Sequence, residues 1–102
     1  MRSIVYSKFG PAKEVLEEKD VSVPTPAEGE VLVEIKFSGA NPSDAKSRAG
    51  GRPGVTKPQF DQIIPNSDGS GVITSVGQGV DRERVGQRVW IWNGQWQRPN
   101  GT

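Results

Sequence analysis

The stretch Asn66-Ser-Asp-Gly-Ser-Gly-Val-Ile-Thr-Ser-Val-Gly-Gln-Gly-Val80 decides how the rest of the chain is read. Val72, Ile73, Thr74 and Val76 predict a strand, because branched side chains suit a pleated, half-buried surface. Gly69 and Gly71 precede that run, and Gly77 and Gly79 follow it. Glycine allows backbone turns that a Cβ resists. The spacing therefore predicts a tight turn, a central strand and a second turn. Asp68 stands at the mouth of the first turn, where a polar side chain of a β-domain can face a ligand instead of the core.

Downstream, Val85-Gly-Gln-Arg-Val-Trp-Ile-Trp92 predicts the next strand. Val89 and Ile91 fall on one face, Trp90 and Trp92 on the other. Gln78 to Val85 connects the two strands and is charged through Asp81-Arg-Glu-Arg84. Asn93 to Thr102 is polar and aromatic, with no closing strand.

Upstream, Glu30 to Phe37 shows the clearest alternation in the chain. Val31, Val33, Ile35 and Phe37 share one face; Glu30, Leu32, Glu34 and Lys36 share the other. That is the pattern of a half-buried strand. Ser38-Gly-Ala40 breaks it. Asn41-Pro-Ser-Asp-Ala-Lys-Ser-Arg-Ala49 predicts a short helix. Asn41 caps it, Pro42 suits its first position, and Asp44 complements the positive end of the dipole. Gly50 and Gly51 end it. Arg52 to Asp61 reads as a loop. Near the N-terminus, Ser3 to Ser7 predicts a first strand. Lys13 to Asp20 fits either one helical turn or a solvated edge strand; Val21 and Val23 resume an alternation, which favours the strand. Pro24-Thr-Pro26 is an extended connector.

Composition narrows the chemistry. A chain of 102 residues is one domain at most. With 13 glycines and 8 prolines it is cut into short segments, as in a β-rich domain. There is no Cys and no His, which excludes disulfides, zinc–thiolate sites and a histidine general base. The net charge of +1 gives no electrostatic case for nucleic acid. The N-terminus has no apolar signal region and no run approaches a membrane span, so a soluble cytoplasmic protein is expected.

Three groups of residues carry possible chemistry. Gly69 and Gly71 fit two positions of the dinucleotide fingerprint, but Thr74 occupies the third. A frame from Gly77 and Gly79 fails at Arg82, and neither is followed by a helical pattern, so turns account for these glycines. Asn41, Asp44 and Asp68 read as a cap, a dipole partner and an Asx-turn, or as a cleft in which two carboxylates orient an amide or a ligand. Lys46, Arg48, Arg52 and Lys57 form a loose basic run, either a solvated face or an anion site. Trp90, Trp92 and Trp96 are core, interface or pocket lining.

Gly29 to Asp44, Asn66 to Gly77 and Val85 to Val89, with the opening Val21-Ser-Val-Pro-Thr-Pro26, resemble the medium-chain dehydrogenase/reductase superfamily. The match runs in order along essentially the whole chain. It is closest in character to the zinc-independent branch of quinone oxidoreductase, or zeta-crystallin-like, proteins. Zinc alcohol dehydrogenases carry a cysteine ligand where this chain has Asn41, and a His-Glu pair at Ser67-Asp68. The Asn41-Pro-Ser-Asp44 form and the aspartate at Asp68 are those of the quinone reductase branch. This chain departs from some members at Lys46 and Arg52, where they carry tyrosines. It also departs at Gln87, in the usual Gly-Asp-Arg-Val, and at Asn66, in the usual Pro-Gly before Asp68.

The resemblance implies a mainly β, GroES-like, partly open barrel with one short helix around Pro42 to Ala49. Residues 1–102 would be the N-terminal portion of its catalytic domain. Members run to roughly three times this length, with a Rossmann cofactor domain after the catalytic one. Gly101-Thr102 corresponds to the start of a further strand, so strand edges are expected unpaired and the chain is expected to self-associate as a homo-oligomer. The implied activity is hydride transfer from NADPH to a quinone or another small electrophile, without zinc or any other metal. Asn41 and Asp44 are then the catalytic pair, Asn41 and Arg48 face the cofactor, and Asp68 and Arg52 line the substrate cleft. The chain alone is expected to bind no cofactor and to be inactive. An enoyl or alkenal reductase, or a stand-alone non-catalytic GroES-like module, are the alternatives. No membrane or nucleic-acid partner is expected.

Overall fold

The computed structural model describes residues 1–51, 53–95 and 98. Among them the order of elements is β1 (Arg2–Val5), α1 (Ala12–Val15), β2 (Glu17–Asp20), β3 (Val31–Gly39), α2 (Pro42–Ala49), β4 (Asp68–Val76), a 3-10 turn (Arg82–Arg84) and β5 (Arg88–Ile91). Two antiparallel sheets result. β1 pairs with β2, and β4 lies between β3 and β5. The architecture is mainly β and open, with no closed barrel among the described strands.

The N-terminal segment uses both conformations that fit Lys13 to Asp20. Lys13, Glu14 and Val15 belong to the single turn α1; Glu17 to Asp20 form the edge strand β2. The helical turn exists because Val15 must reach the core, where it is only 3% exposed. β1 starts one residue earlier than predicted and ends at Val5. Tyr6 instead makes a two-way backbone bridge with Ile63, both bonds 2.9 Å, which ties this segment to the approach of β4. Val21 and Val23 lie outside any strand. The β1–β2 edge is dressed with exposed ion pairs, Met1 to Asp20 and Arg2 to Glu18, of the kind that contributes little stability.

The principal correction concerns Gly69 and Gly71. They are not in a turn; β4 begins at Asp68 and contains both. A Cβ on Gly71 would stand 2.0 Å from the carbonyl oxygen of Glu34, and one on Gly69 would stand 2.5 Å from that of Phe37. Their absent side chains let β3 close onto β4, which is the other use of glycine in a strand. The turn before β4 is made by Asn66, at φ 73°. Asparagine tolerates that left-handed region better than most residues.

β3 also departs from simple alternation. Register shifts fall between Leu32 and Val33 and between Ile35 and Phe37. The first leaves Thr74 of β4 without a partner in the ladder and the second leaves Lys36 of β3 without one, and the extra residue re-aims those beyond it in its own strand. Phe37, beyond Lys36, is thereby switched to the face of Glu34 and is 75% exposed, although the period-2 pattern puts it on the inner face; Ile35, before that bulge, is 43% exposed. β5 is shorter than predicted. Asp81 caps the 3-10 turn by accepting from the Glu83 N–H at 2.9 Å, and Gly86 turns the chain at φ 92° before Arg88. The largest fully buried side chains are Val5 and Ile73, one in each sheet.

Candidate functional site

The site forms where β3 ends, α2 begins and β4 starts. Register places Gly39 opposite Asp68. Two residues after Gly39 the chain reaches Asn41, in extended conformation, and then Pro42 opens α2. Pro42 has no N–H to leave unpaired, and its fixed φ suits the first helical turn. Asp44 reaches back and accepts from the Asn41 backbone N–H at 2.7 Å. Gly50 closes α2 in the left-handed region at φ 78°, as a C-terminal glycine is expected to.

With the backbone so fixed, the Asn41 amide Nδ2 donates to Asp68 Oδ2 at 3.0 Å. A hydrogen bond to an ionised acceptor is stronger than one between neutral groups. It also orients the amide: the nitrogen must face the carboxylate. The other carboxylate oxygen, Oδ1, is buried and has no hydrogen-bond partner among the described residues. It lies against Gly39, where an added Cβ would stand 2.0 Å away. Gly39 is thus the residue that gives the Asp68 carboxylate its place. Sequence reasoning missed it; the only signal was its position in the Ser38-Gly-Ala40 break. Asn66 Nδ2 donates to Ser38 Oγ at 3.0 Å beside this junction.

Asp44 and Arg48, four residues apart, share a stripe of α2. Both are half-buried and both act electrostatically on Tyr6. Arg48 Nε donates to the Gly10 carbonyl at 3.3 Å, and the Gly10 N–H donates to the Arg48 carbonyl at 3.1 Å. Burial pushes the Tyr6 hydroxyl above its ordinary value; Arg48 opposes this and Asp44 adds to it. The structure therefore brings Asn41, Asp44 and Asp68 into one bonded chain. It leaves Arg48 nearly two helical turns further along, roughly 10 Å at 1.5 Å per residue. Lys46 and Lys57 are exposed. Arg52, Trp96 and the Gly101-Thr102 strand start lie outside the described residues.

Beside Asp68, a shallow groove of about 360 Å³ is walled by Phe37, Trp90 and Trp92, with Ser38, Gly39, Asp68, Gly69, Ser70 and Ile91 completing it. The tryptophans are neither core nor enclosed: Trp90 is 75% and Trp92 77% exposed. A zinc ion would find no thiolate and no imidazole in this chain. Among the described residues no group of three or more carboxylates is placed to hold a metal. What the site offers is an oriented amide and carboxylate beside aromatic surface.

Residues 27–100 match the alcohol dehydrogenase GroES-like domain, and the chain belongs to that family. It is 36% identical over 90 residues to a quinone oxidoreductase of Lama guanicoe, an alignment covering 88% of this chain and 26% of the relative. It is 40% identical over 91 residues to an alcohol dehydrogenase of Geobacillus stearothermophilus, covering 89% and 25%. A mycobacterial protein solved in complex with NADPH superposes with a TM-score of 0.74 at 29% identity, covering 88% of this chain and 27% of that one. The chain thus spans about a quarter of the length of these relatives. No helix among the described residues is long and apolar enough to cross a membrane.

Proposed function

We propose that residues 1–102 are the N-terminal portion of the catalytic domain of a zinc-independent, NADPH-dependent quinone oxidoreductase, acting in the cytoplasm. The observation that carries this reading is the Asn41–Asp68 hydrogen bond at the junction of α2 and β4. In this reading the pair takes the place of the thiolate and imidazole a zinc enzyme would need, and this chain has neither residue type.

NADPH, when bound in the longer protein, supplies a hydride to a quinone or activated alkene. This chain supplies the wall against which the reacting groups are held. Asn41 presents an amide whose orientation Asp68 sets, and Asp44 fixes the backbone of the same residue. Holding an amide donor in one orientation before the ligand arrives removes a reorganisation cost from the reaction. Arg48 anchors α2 to Gly10 through Nε, and its other guanidinium N–H groups are donors for the cofactor. Asp68 and Arg52 border the substrate. Because hydride transfer needs the cofactor bound and oriented, the 102-residue chain alone is inactive.

The outer edges of β3 and β5 carry no described strand, so in this reading the chain also self-associates.

The test is NADPH oxidation with a quinone acceptor by a protein of the relatives' length. Asn41→Ala should lower kcat on the order of a hundredfold, the usual loss when an oriented donor is removed. Unchanged turnover in a folded variant would reject Asn41 as the cleft residue, and turnover by the 102-residue chain would reject the need for a further domain.

A further inference from the structure

The chain leaves β5 through Asn93-Gly94. Asn93 is exposed and stands in the left-handed region at φ 53°, which asparagine tolerates better than most residues. No hydrogen bond to a described residue holds its side-chain amide. Glycine follows it, so no side chain shields the next backbone nitrogen. An asparagine amide in that setting is open to attack by the Gly94 nitrogen, which closes a succinimide ring.

In the folded chain that nitrogen is engaged elsewhere. The Gly94 N–H donates to the Ser67 carbonyl at 2.7 Å. The residues beyond hold it there. Gln95 Nε2 donates to the Ile64 carbonyl, and the Arg98 N–H donates to the Gln95 carbonyl at 3.2 Å. The Arg98 guanidinium pairs with Glu30, Nη2 to Oε1 at 2.9 Å. A segment held by a few polar contacts at the surface opens locally at a lower free energy than the core.

We propose that Asn93-Gly94 is a site of spontaneous covalent modification, gated by opening of the Gly94–Ser67 hydrogen bond. Once the bond opens, the Gly94 N–H gives its proton to hydroxide and the nitrogen attacks Asn93 Cγ. The bond from Cγ to the side-chain nitrogen breaks, that nitrogen takes up a proton, and ammonia leaves. Water then adds to either carbonyl of the succinimide and opens it to an aspartyl or an isoaspartyl link. Both products carry a carboxylate where asparagine had an amide. Gly94 is bonded to the residue before Asp68, so the new negative charge appears at the border of the candidate site. The isoaspartyl link also lengthens the backbone by a methylene, which takes the Gly94 N–H out of register with Ser67. None of this depends on the hydride-transfer reading.

Hydrogen exchange of the Gly94 amide needs the same event, because exchange too requires that N–H freed and deprotonated. The two rates therefore share one gate. Peptide mapping by mass spectrometry of the 102-residue chain, held at mildly alkaline pH, reads conversion at Asn93 apart from the second such pair, Asn100-Gly101. Conversion in urea gives the ungated rate. The folded chain should convert about tenfold more slowly or beyond, by the factor that protects the Gly94 amide from exchange. Gln95→Ala and Arg98→Ala should each raise conversion and exchange together, by about fivefold. Asn93→Gln should stop conversion at this position. Folded chain converting at the urea rate would overturn the gate. Absence of conversion in urea would overturn the site. Variants that speed exchange and leave conversion unchanged would overturn the Gly94–Ser67 opening as the controlling step.

Discussion

Asn41 and Asp68, 27 residues apart, meet through one hydrogen bond of 3.0 Å from amide to carboxylate. The bond joins the cap of α2 to the first residue of β4, and every feature of the candidate site is arranged around it. Asp44 holds the backbone of one partner, and Gly39 makes room for the carboxylate of the other.

Asp68→Ala removes the acceptor and frees the Asn41 amide. The expected cost is about 1 kcal/mol, since the bond lies at the surface and water replaces it. The two side-chain N–H resonances of Asn41 should move towards those of an exposed asparagine. Unchanged resonances would mean the pair does not form in solution.

Gly39→Ala tests the same bond from the other side. The new Cβ would stand 2.0 Å from Asp68 Oδ1, so the carboxylate must leave its position. The Asn41 resonances should shift as they do in Asp68→Ala, with a loss of about 1–3 kcal/mol from overpacking. A denaturant titration and one heteronuclear spectrum suffice.

Gly71→Ala should be more damaging than a surface change in the same strand. Its Cβ would stand 2.0 Å from the Glu34 carbonyl oxygen, and backbone cannot move aside as a side chain can. Separating β3 from β4 at a buried row should cost about 1–3 kcal/mol or more. The exposed Thr74→Ala, in the same strand, loses only a long 3.4 Å hydrogen bond to the Leu32 carbonyl and should cost about 1 kcal/mol or less.

Stability should fall in alkali because of Tyr6. Its folded-state value lies above the ordinary 10.0, chiefly through burial, with Arg48 opposing and Asp44 adding. Above the unfolded value the native chain therefore keeps a proton that the unfolded chain releases, and stability declines as pH rises. The contribution is fully present below 10.0 and is lost as pH climbs through the raised value. Urea midpoints measured on either side of about pH 10 should show this, and Tyr6→Phe should flatten the slope.

Much of this was legible locally. Asn41, Pro42 and Gly50 marked the bounds of α2, because caps are satisfied by neighbours in sequence. The β-branched run placed the centre of β4. The absence of cysteine and histidine limited the chemistry before any coordinates, and the motifs along the chain pointed to the family. Asn41, Asp44 and Asp68 could be named together as candidates, but on sequence physics a cap, a dipole partner and a turn were the favoured reading of them.

What only the tertiary structure decided lies between segments. Gly69 and Gly71 looked like turn residues because glycine tolerates turns; whether a missing Cβ serves a turn or a close strand depends on what lies across from it. Here that is the backbone of β3. Phe37 looked like core because it kept period with Val31, but the bulge at Lys36 that turns it to the surface arises from pairing with β4, which no local pattern records. The importance of Gly39 likewise comes from a carboxylate 29 positions away. Local conformation is set by adjacent residues and can be read along the chain. Close approach, exposure and the meeting of Asn41 with Asp68 are properties of distant pairs, and those exist only once the strands have found their register.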